Sequence, residues 1–239
     1  MNTKELTIGE MVAQDYRAAA VFKKYQIDFC CNGNRSLSEA TEKKGISIED
    51  ISRELEQLDA HQGESIDYGA WPLDLLADYV EKTHHRYIKE KSPILLQFLN
   101  KIQRVHGERH PELYEVYDLF EESAKDLAHH LEKEEQILFP FIRKMVEAQR
   151  SGTPLETAHF GSVENPVEMM KHEHDQEGER FRKIAELTDQ YRFPEDACST
   201  YQVSFKMLEE FQDDLHKHIH LENNILFLKA IELEKQLRK

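Results

Sequence analysis

Glycine and proline are scarce, with 9 and 7 among 239 residues. That excludes collagen-like repeats and loop-rich all-β architectures, and it favours helices. Cysteine is scarcer still. There are three, an odd number, so no disulfide framework organises the chain. Basic residues are outnumbered, 31 Lys+Arg against 46 Asp+Glu, which gives a formal net charge of −15. So acidic a chain suits neither nucleic acid nor an anionic membrane, because both need a basic face. No apolar run approaches the ~18–20 residues that span a bilayer. The opening MNTKELTIGE also lacks the apolar stretch of a signal segment. A cytoplasmic location is therefore expected. What the chain does have is length enough to bury roughly 70–75% of its unfolded surface, and 13 histidines.

Residues 1–60 read as a small helical domain. Thr7 caps a helix expected from about Ile8 to Tyr25. Asn32-Gly33-Asn34 is turn chemistry, with Gly33 letting the backbone turn sharply. Ser36 or Ser38 opens a short helix that Gly45 ends, and Ser47 with Asp50 opens another to about Leu58. Residues 61–70, polar and glycine-containing, read as a linker that permits movement. Residues 71–239 hold four long amphipathic stretches. The first runs from Pro72 to about His106, with a kink or break at Ser92-Pro93. The second runs from Pro111 to about Gln149, with another kink at Pro140. Asn165-Pro166 opens the third, to about Tyr191, and Pro194-Glu195-Asp196 opens the fourth. The fold class is all-α, an antiparallel four-helix bundle behind a small helical domain.

Chemistry is written in the gaps of the apolar stripes. In LAHHLEKEEQILFPF the stripe is Leu127, Ile137, Leu138 and Phe141, and His130 and Glu134 fill its gaps one turn apart. FQDDLHKHIHLENNILF repeats this, with His218 and Glu222 between Phe211, Leu215 and Ile225. In the third stretch His174 interrupts Val167, Met170, Phe181 and Ile184. One such histidine is more often a satisfied core residue. Polar groups on three core stripes together cost several kcal/mol each unless they are paired or metal-bound. The first stretch offers His84 or His85, and periodicity does not choose between them. Positions 85, 130, 174 and 218 are nearly equally spaced, which puts them on one central layer of an up-down bundle. Four His and two Glu exceed the needs of one tetrahedral zinc. They suit two irons or manganeses, each Glu bridging, with one coordination position open.

Cys30-Cys31 are adjacent, so a resting bridge would be a strained ring. They read either as two small buried apolar residues or as a soft thiol pair for redox exchange or iron handling. Cys198 reads as structural. His216 and His220 point away from the fourth stripe. Glu173 and Asp126 lie near the metal layer, as orienting partners, an iron exit path or solvated acids.

HHLEKEEQILFP, EHDQEGE and HIHLENNILF, with YQIDFCCNGNRSL near the start, resemble the repair-of-iron-centres family over nearly the whole chain. The N-terminal motif is the more discriminating, since hemerythrin-like bundles also occur in oxygen carriers and sensors. The resemblance implies a hemerythrin-like bundle with a non-haem di-iron centre, its two irons oxo- or hydroxo-bridged. It implies metal ligands at His85, eight residues before Pro93, and at His130, Glu134, His174, His218 and Glu222. It implies chemical work at Cys30 and Cys31. A fifth histidine ligand, from His84 or His129, stays open. The function implied is recovery of iron–sulfur clusters after nitric oxide or oxidative damage. Damaged iron–sulfur proteins are the partners, and nitric oxide or dioxygen the small ligands; a homodimer is admitted. On this reading the chain is more a repair factor than a turnover enzyme, with nitric oxide redox chemistry a further option. The alternative is a hemerythrin-type module that binds dioxygen or nitric oxide reversibly and senses it.

Overall fold

The computed structural model of the chain describes residues 6–42, 45–60 and 66–238. Among them regular structure is helical, apart from isolated β-bridges such as Thr7–Ser36. Thr7 and Glu10 close a capping box at the start of α1 (Ile8–Gln14). The single helix expected to Tyr25 is two. Asp15 is extended, and its carboxylate accepts from the Arg17 backbone N–H at 2.9 Å, a local bond that competes with the helix. The second piece is α2 (Ala18–Lys24). Ser36, rather than Ser38, caps α3 (Leu37–Glu42) through a reciprocal pair with Glu39. Ser47 caps α4 (Ile48–Ala60), its hydroxyl accepting from the Asp50 N–H and donating to Glu49.

Of the expected linker, residues 61–65 lie outside the described residues. Of residues 66–70, Tyr68 is buried and the others are exposed. Tyr68 is buried against Trp71 and Tyr79, ring centroids 5.0 and 5.5 Å away.

The first bundle helix is α5 (Leu73–Tyr79), a π-helical turn (Val80–His85) and α6 (Arg86–His106). It runs through Pro93 without a break, and Ser92 donates its hydroxyl to the Ile88 carbonyl at 2.7 Å. The second is α7 (Glu112–Lys133), a π turn (Glu134–Leu138) and α8 (Phe139–Ser151). Pro140 is the second residue after that π turn. The third, α9 (Glu164–Leu187), begins before Asn165-Pro166, and the Glu234 carboxylate accepts from the Val163 N–H. It stops short of Tyr191 because Asp189, Gln190 and Tyr191 are all left-handed, with φ of 45°, 57° and 62°. The fourth is α10 (Ser199–Leu221), a π turn (Glu222–Leu226) and α11 (Phe227–Leu237). It starts later than Pro194, at Cys198, which is exposed at the helix N-terminus with its thiol 3.2 Å from His106 Nε2; this thiol is not a core element.

α5 lies along α8 and α6 along α7, so the first two bundle helices are antiparallel. The core is split into two apolar clusters. One joins the N-terminal helices to Ile88, Leu127, Leu131, Phe181, Leu215 and Ile219. The other holds Val80, Leu138, Phe139, Met170, Ile225 and Phe227 at the far end. A polar layer separates them. No described helix is long and apolar enough to cross a membrane.

Candidate metal centre

That layer contains every side chain the stripes singled out. His85, Glu134, His218 and Glu222 are 0% exposed, His130 3% and His174 2%. Single-atom offers from these residues fall into two groups that could hold a cation: His85, Glu134, His218 and Glu222, and His130, Glu134, His174 and Glu222. Both carboxylates belong to both groups. Glu222 Oε1 lies 3.0 Å from His218 Nε2, and its Oε2 lies 3.1 Å from His174 Nε2. Glu134 Oε2 stands between His85 Nε2 at 3.4 Å and His130 Nε2 at 3.3 Å. We call the His85–His218 group the inner half-site and the His130–His174 group the outer one.

The π turns explain how the chain delivers these groups. Each of the two glutamates starts one, with an i→i−5 bond from Phe139 N–H to the Glu134 carbonyl and from Phe227 N–H to the Glu222 carbonyl. The extra residue lets Glu135 and Asn223 also turn inward, where each partners a histidine Nδ1 of another helix. Glu135 is 2.9 Å from His85 Nδ1, and Asn223 Oδ1 is 2.9 Å from His174 Nδ1. The same insertion rotates Ile137 off the apolar stripe; it is 38% exposed, while Leu138 is 1%.

The layer is built for positive charge at its centre. The oxygens of both glutamates, and Nε2 of His85 and His218, are buried without a hydrogen-bond partner among the described residues, although they face one another within about 3–4 Å. His130 and His174 oppose Nε2 to Nε2 at 3.1 Å. With a hydrogen on each Nδ1, that contact sets lone pair against lone pair unless a proton or cation lies between. Burial pushes His85 and His130 down, but the carboxylates outweigh it and hold them up at about 9 and about 10. Burial likewise opposes charge on Glu222, yet the surrounding imidazoles hold it well below the usual carboxylate range. Imidazole with carboxylate, and no thiol inside the layer, is a donor set for iron or manganese that also tolerates zinc.

Nδ1 partners fix which nitrogen faces the centre. Glu173 takes His130 Nδ1 at 2.8 Å, and Lys133 grips the same carboxylate. The His130 bond holds the Glu173 carboxyl down at about 2. Asp126 instead pairs with Arg180, away from the histidines. A cleft of about 170 Å³ beside Lys133, Glu173 and Glu177 reaches His130 and His174. His84 is buried, but its Nδ1 pairs with Asp214 at 2.9 Å, and its ring stacks on His218 rather than joining either group. His129 is exposed.

Cys30 and Cys31 sit against the outer half-site. Cys31 Sγ donates to the His174 carbonyl at 3.3 Å, and a Cβ at Gly178 would crowd that sulfur at 3.0 Å. The thiols lie 3.7 Å apart as free cysteines. Asp28 organises their loop, accepting from the Cys30 and Cys31 N–H groups at 3.1 and 3.0 Å and pairing with Arg182. Cys31 beside it, together with burial, holds the Cys30 thiol well above its ordinary range. Gly33 serves close approach rather than a special turn: its Cα is near Gly9, and a Cβ there would meet the Phe29 carbonyl at 2.4 Å.

Sequence reasoning missed who holds this loop. His220 is buried and His216 half-buried, both with rings on Phe29 at 5.8 and 6.2 Å. They point away from the stripe, as read, but toward the N-terminal helices. Glu135, Asn223 and Asp214 were missed too. The available signal was a polar residue directly after each core glutamate, in EE and EN.

Residues 76–230 match the hemerythrin HHE cation-binding domain, and residues 4–59 match the N-terminal domain of ScdA, described as a domain of unknown function (DUF542). The chain is 32% identical over 231 residues to the iron–sulfur cluster repair protein YtfE of Musicola paradisiaca, covering 97% of this chain and 98% of that one. YtfE of Pectobacterium atrosepticum gives 32% over 97% and 99%. ScdA of Staphylococcus haemolyticus, also an iron–sulfur cluster repair protein, gives 29% over 96% and 99%. With its cation-binding bundle and its docked Cys-Cys segment matched end to end, the chain belongs to the YtfE/ScdA family of hemerythrin-domain iron–sulfur cluster repair proteins.

Proposed function

We propose that the layer holds two iron ions, one per half-site, with Glu134 and Glu222 spanning both. The chain would then repair iron–sulfur clusters damaged by nitric oxide or oxidation, by supplying or mobilising that iron. One observation carries the reading. Two four-residue groups share both carboxylates, and the oxygens of both, with Nε2 of His85 and His218, are buried without hydrogen-bond partners among the described residues. When bound, iron in such a set supplies an exchangeable, redox-active cation with a free position for nitric oxide or dioxygen. The chain's own groups do the rest. His85, His130, His174 and His218 present Nε2, while Glu135, Glu173 and Asn223 hold three of the rings by Nδ1. Lys133 holds Glu173 at the cleft that reaches the outer half-site, where a cation could enter or leave. Cys31, half-buried beside that half-site, is the thiol placed to meet a client cluster or pass electrons, with Cys30 behind it. The names of the relatives support the repair role.

Anaerobic purification with metal analysis and Mössbauer spectroscopy tests the centre, and two antiferromagnetically coupled irons are expected. One mononuclear zinc per chain would sink it. Incubation with a nitric-oxide-damaged [4Fe–4S] enzyme then tests repair. Recovered activity is expected, lost in Cys30→Ala/Cys31→Ala while the Mössbauer spectrum stays. Absence of recovery with the intact chain favours reversible gas binding and sensing instead.

A further inference from the structure

Asn223 touches two things at once. Its Oδ1 takes His174 Nδ1 at 2.9 Å, and its Nδ2 donates to the Cys30 carbonyl at 3.4 Å. A carbonyl oxygen only accepts, so Cys30 fixes the amide with its NH2 toward the loop and its oxygen toward His174. That oxygen in turn takes the ring hydrogen on Nδ1 and turns Nε2 toward the layer. The other held rings need no such arrangement. His85 and His130 are backed by Glu135 and Glu173, carboxylates that accept from either oxygen. Of these three held rings, only His174 depends on a group whose own orientation is set by the Cys-Cys loop. The loop is well defined at that point, because Asn224 Nδ2 reaches the Phe29 carbonyl at 3.2 Å and Asp28 gathers its N–H groups.

Resting on the di-iron reading above, we propose that Asn223 is a positioning residue that makes the outer half-site responsive to the thiol pair. With the loop docked, the amide holds His174 in its metal-facing orientation. When Cys31 is covalently modified, the Cys30 carbonyl shifts, the amide is free to turn its NH2 toward the ring, and the outer half-site loosens.

The test loads the full-length protein with Fe(II) anaerobically and follows release to bathophenanthroline before and after iodoacetamide. Every protein compared carries Cys198→Ala, because that exposed thiol would also be alkylated; alkylation then forms an S–C bond at Cys31, iodide leaves, and the thiol proton goes to solvent. In the wild type, alkylation should speed one of two release phases by about 10-fold and leave the other unchanged. Asn223→Ala should release that phase quickly with or without alkylation. Asn223→Asp separates the two bonds, since its carboxylate still takes His174 Nδ1 but cannot donate to Cys30. Its release should stay slow and indifferent to alkylation. Acceleration by alkylation in Asn223→Asp equal to that in the wild type would overturn the proposal. If the wild type binds no second iron, the di-iron reading fails by itself. NMR of 15N-labelled His174 in metal-free protein then decides: its ring signals should move on alkylation in the wild type and hold still in Asn223→Asp. Unmoved wild-type signals would overturn the proposal.

Discussion

The inner and outer half-sites use the same chemistry, two imidazoles each and the same two carboxylates, but different parts of the chain enclose them. Among the described residues, the side chains that hold the inner one come from bundle helices. Glu135 backs His85 and is itself held by Lys89, and His218 stacks on His84, which Asp214 holds. The outer one is closed partly by the N-terminal segment. A cleft reaches it, Lys133 and Glu173 stand at the mouth, and the Cys-Cys loop reaches His174 across 143 positions of sequence. Each half-site has a Lys–Glu ion pair behind a histidine, Lys89–Glu135 and Lys133–Glu173, so the difference is the cleft and the docked loop, which favour exchange at the outer one.

The comparison breaks most completely if the carboxylates are removed. Glu222→Ala deletes an oxygen from each half-site, and Glu134→Ala removes the oxygen between His85 and His130. If the layer holds two irons as proposed, each variant should fall from about two to fewer than one per chain, read by metal analysis after anaerobic gel filtration, because a missing ligand costs more than a missing orienting partner. Full iron content in both variants would refute the shared-carboxylate arrangement.

The orienting partners sharpen the contrast. Glu173→Gln should speed release from the outer half-site by roughly 10-fold, and Glu135→Gln should act on the inner one by a similar factor. Release curves should therefore separate: the fast phase answers to Glu173 and the slow phase to Glu135. If both variants change the same phase, the half-sites are not independent.

Protons give a third handle. Without metal, His85 and His130 are held at about 9 and about 10, against 6.5 for an ordinary histidine. Raised values mean stabilisation fully present below about pH 6.5 and lost as pH climbs through 9 to 10. Glu222 has the opposite sign, stabilising above its ordinary 4.5 and losing this as pH falls through its depressed value. Metal must displace the histidine protons, so apparent affinity should rise with pH up to about 9–10. In weak buffer at pH 7, loading should release roughly two protons, one from each half-site. Release of none, by indicator dye, would show the imidazoles already neutral.

How much of this was legible in the sequence follows from distance along the chain. His130, Glu134, His174, His218 and Glu222 interrupt apolar stripes, so a 3.6-residue period exposes them before any tertiary contact exists. His85 was harder. It lies inside a π turn, where the period locally fails, and His84 is buried beside it for a different reason, its bond to Asp214. The partners that tune the site stayed hidden because they act across helices: Glu135 on His85, Asn223 on His174, Phe29 on His216 and His220. The thiols are remote from the metal helices in sequence and adjacent to His174 in space, and only the docked loop reveals it.

The smallest effect tests the device that makes the layer. A regular α-helix would put Ile137 on the stripe with Leu127 and Phe141; the π turn at Glu134–Leu138 turns it to 38% exposure and buries Leu138 at 1%. Leu138→Ala should cost about 2–4 kcal/mol of unfolding free energy, as a cavity in the far apolar cluster. Ile137→Ala should cost no more than about 0.5 kcal/mol, as a surface change. Urea titrations of the metal-free protein at constant m-value measure both. Equal losses would restore the unbroken helical register, in which Glu135 could not turn in behind His85. The Ile137–Leu138 asymmetry therefore reports, without any metal present, the backbone insertion on which the inner half-site's own support rests.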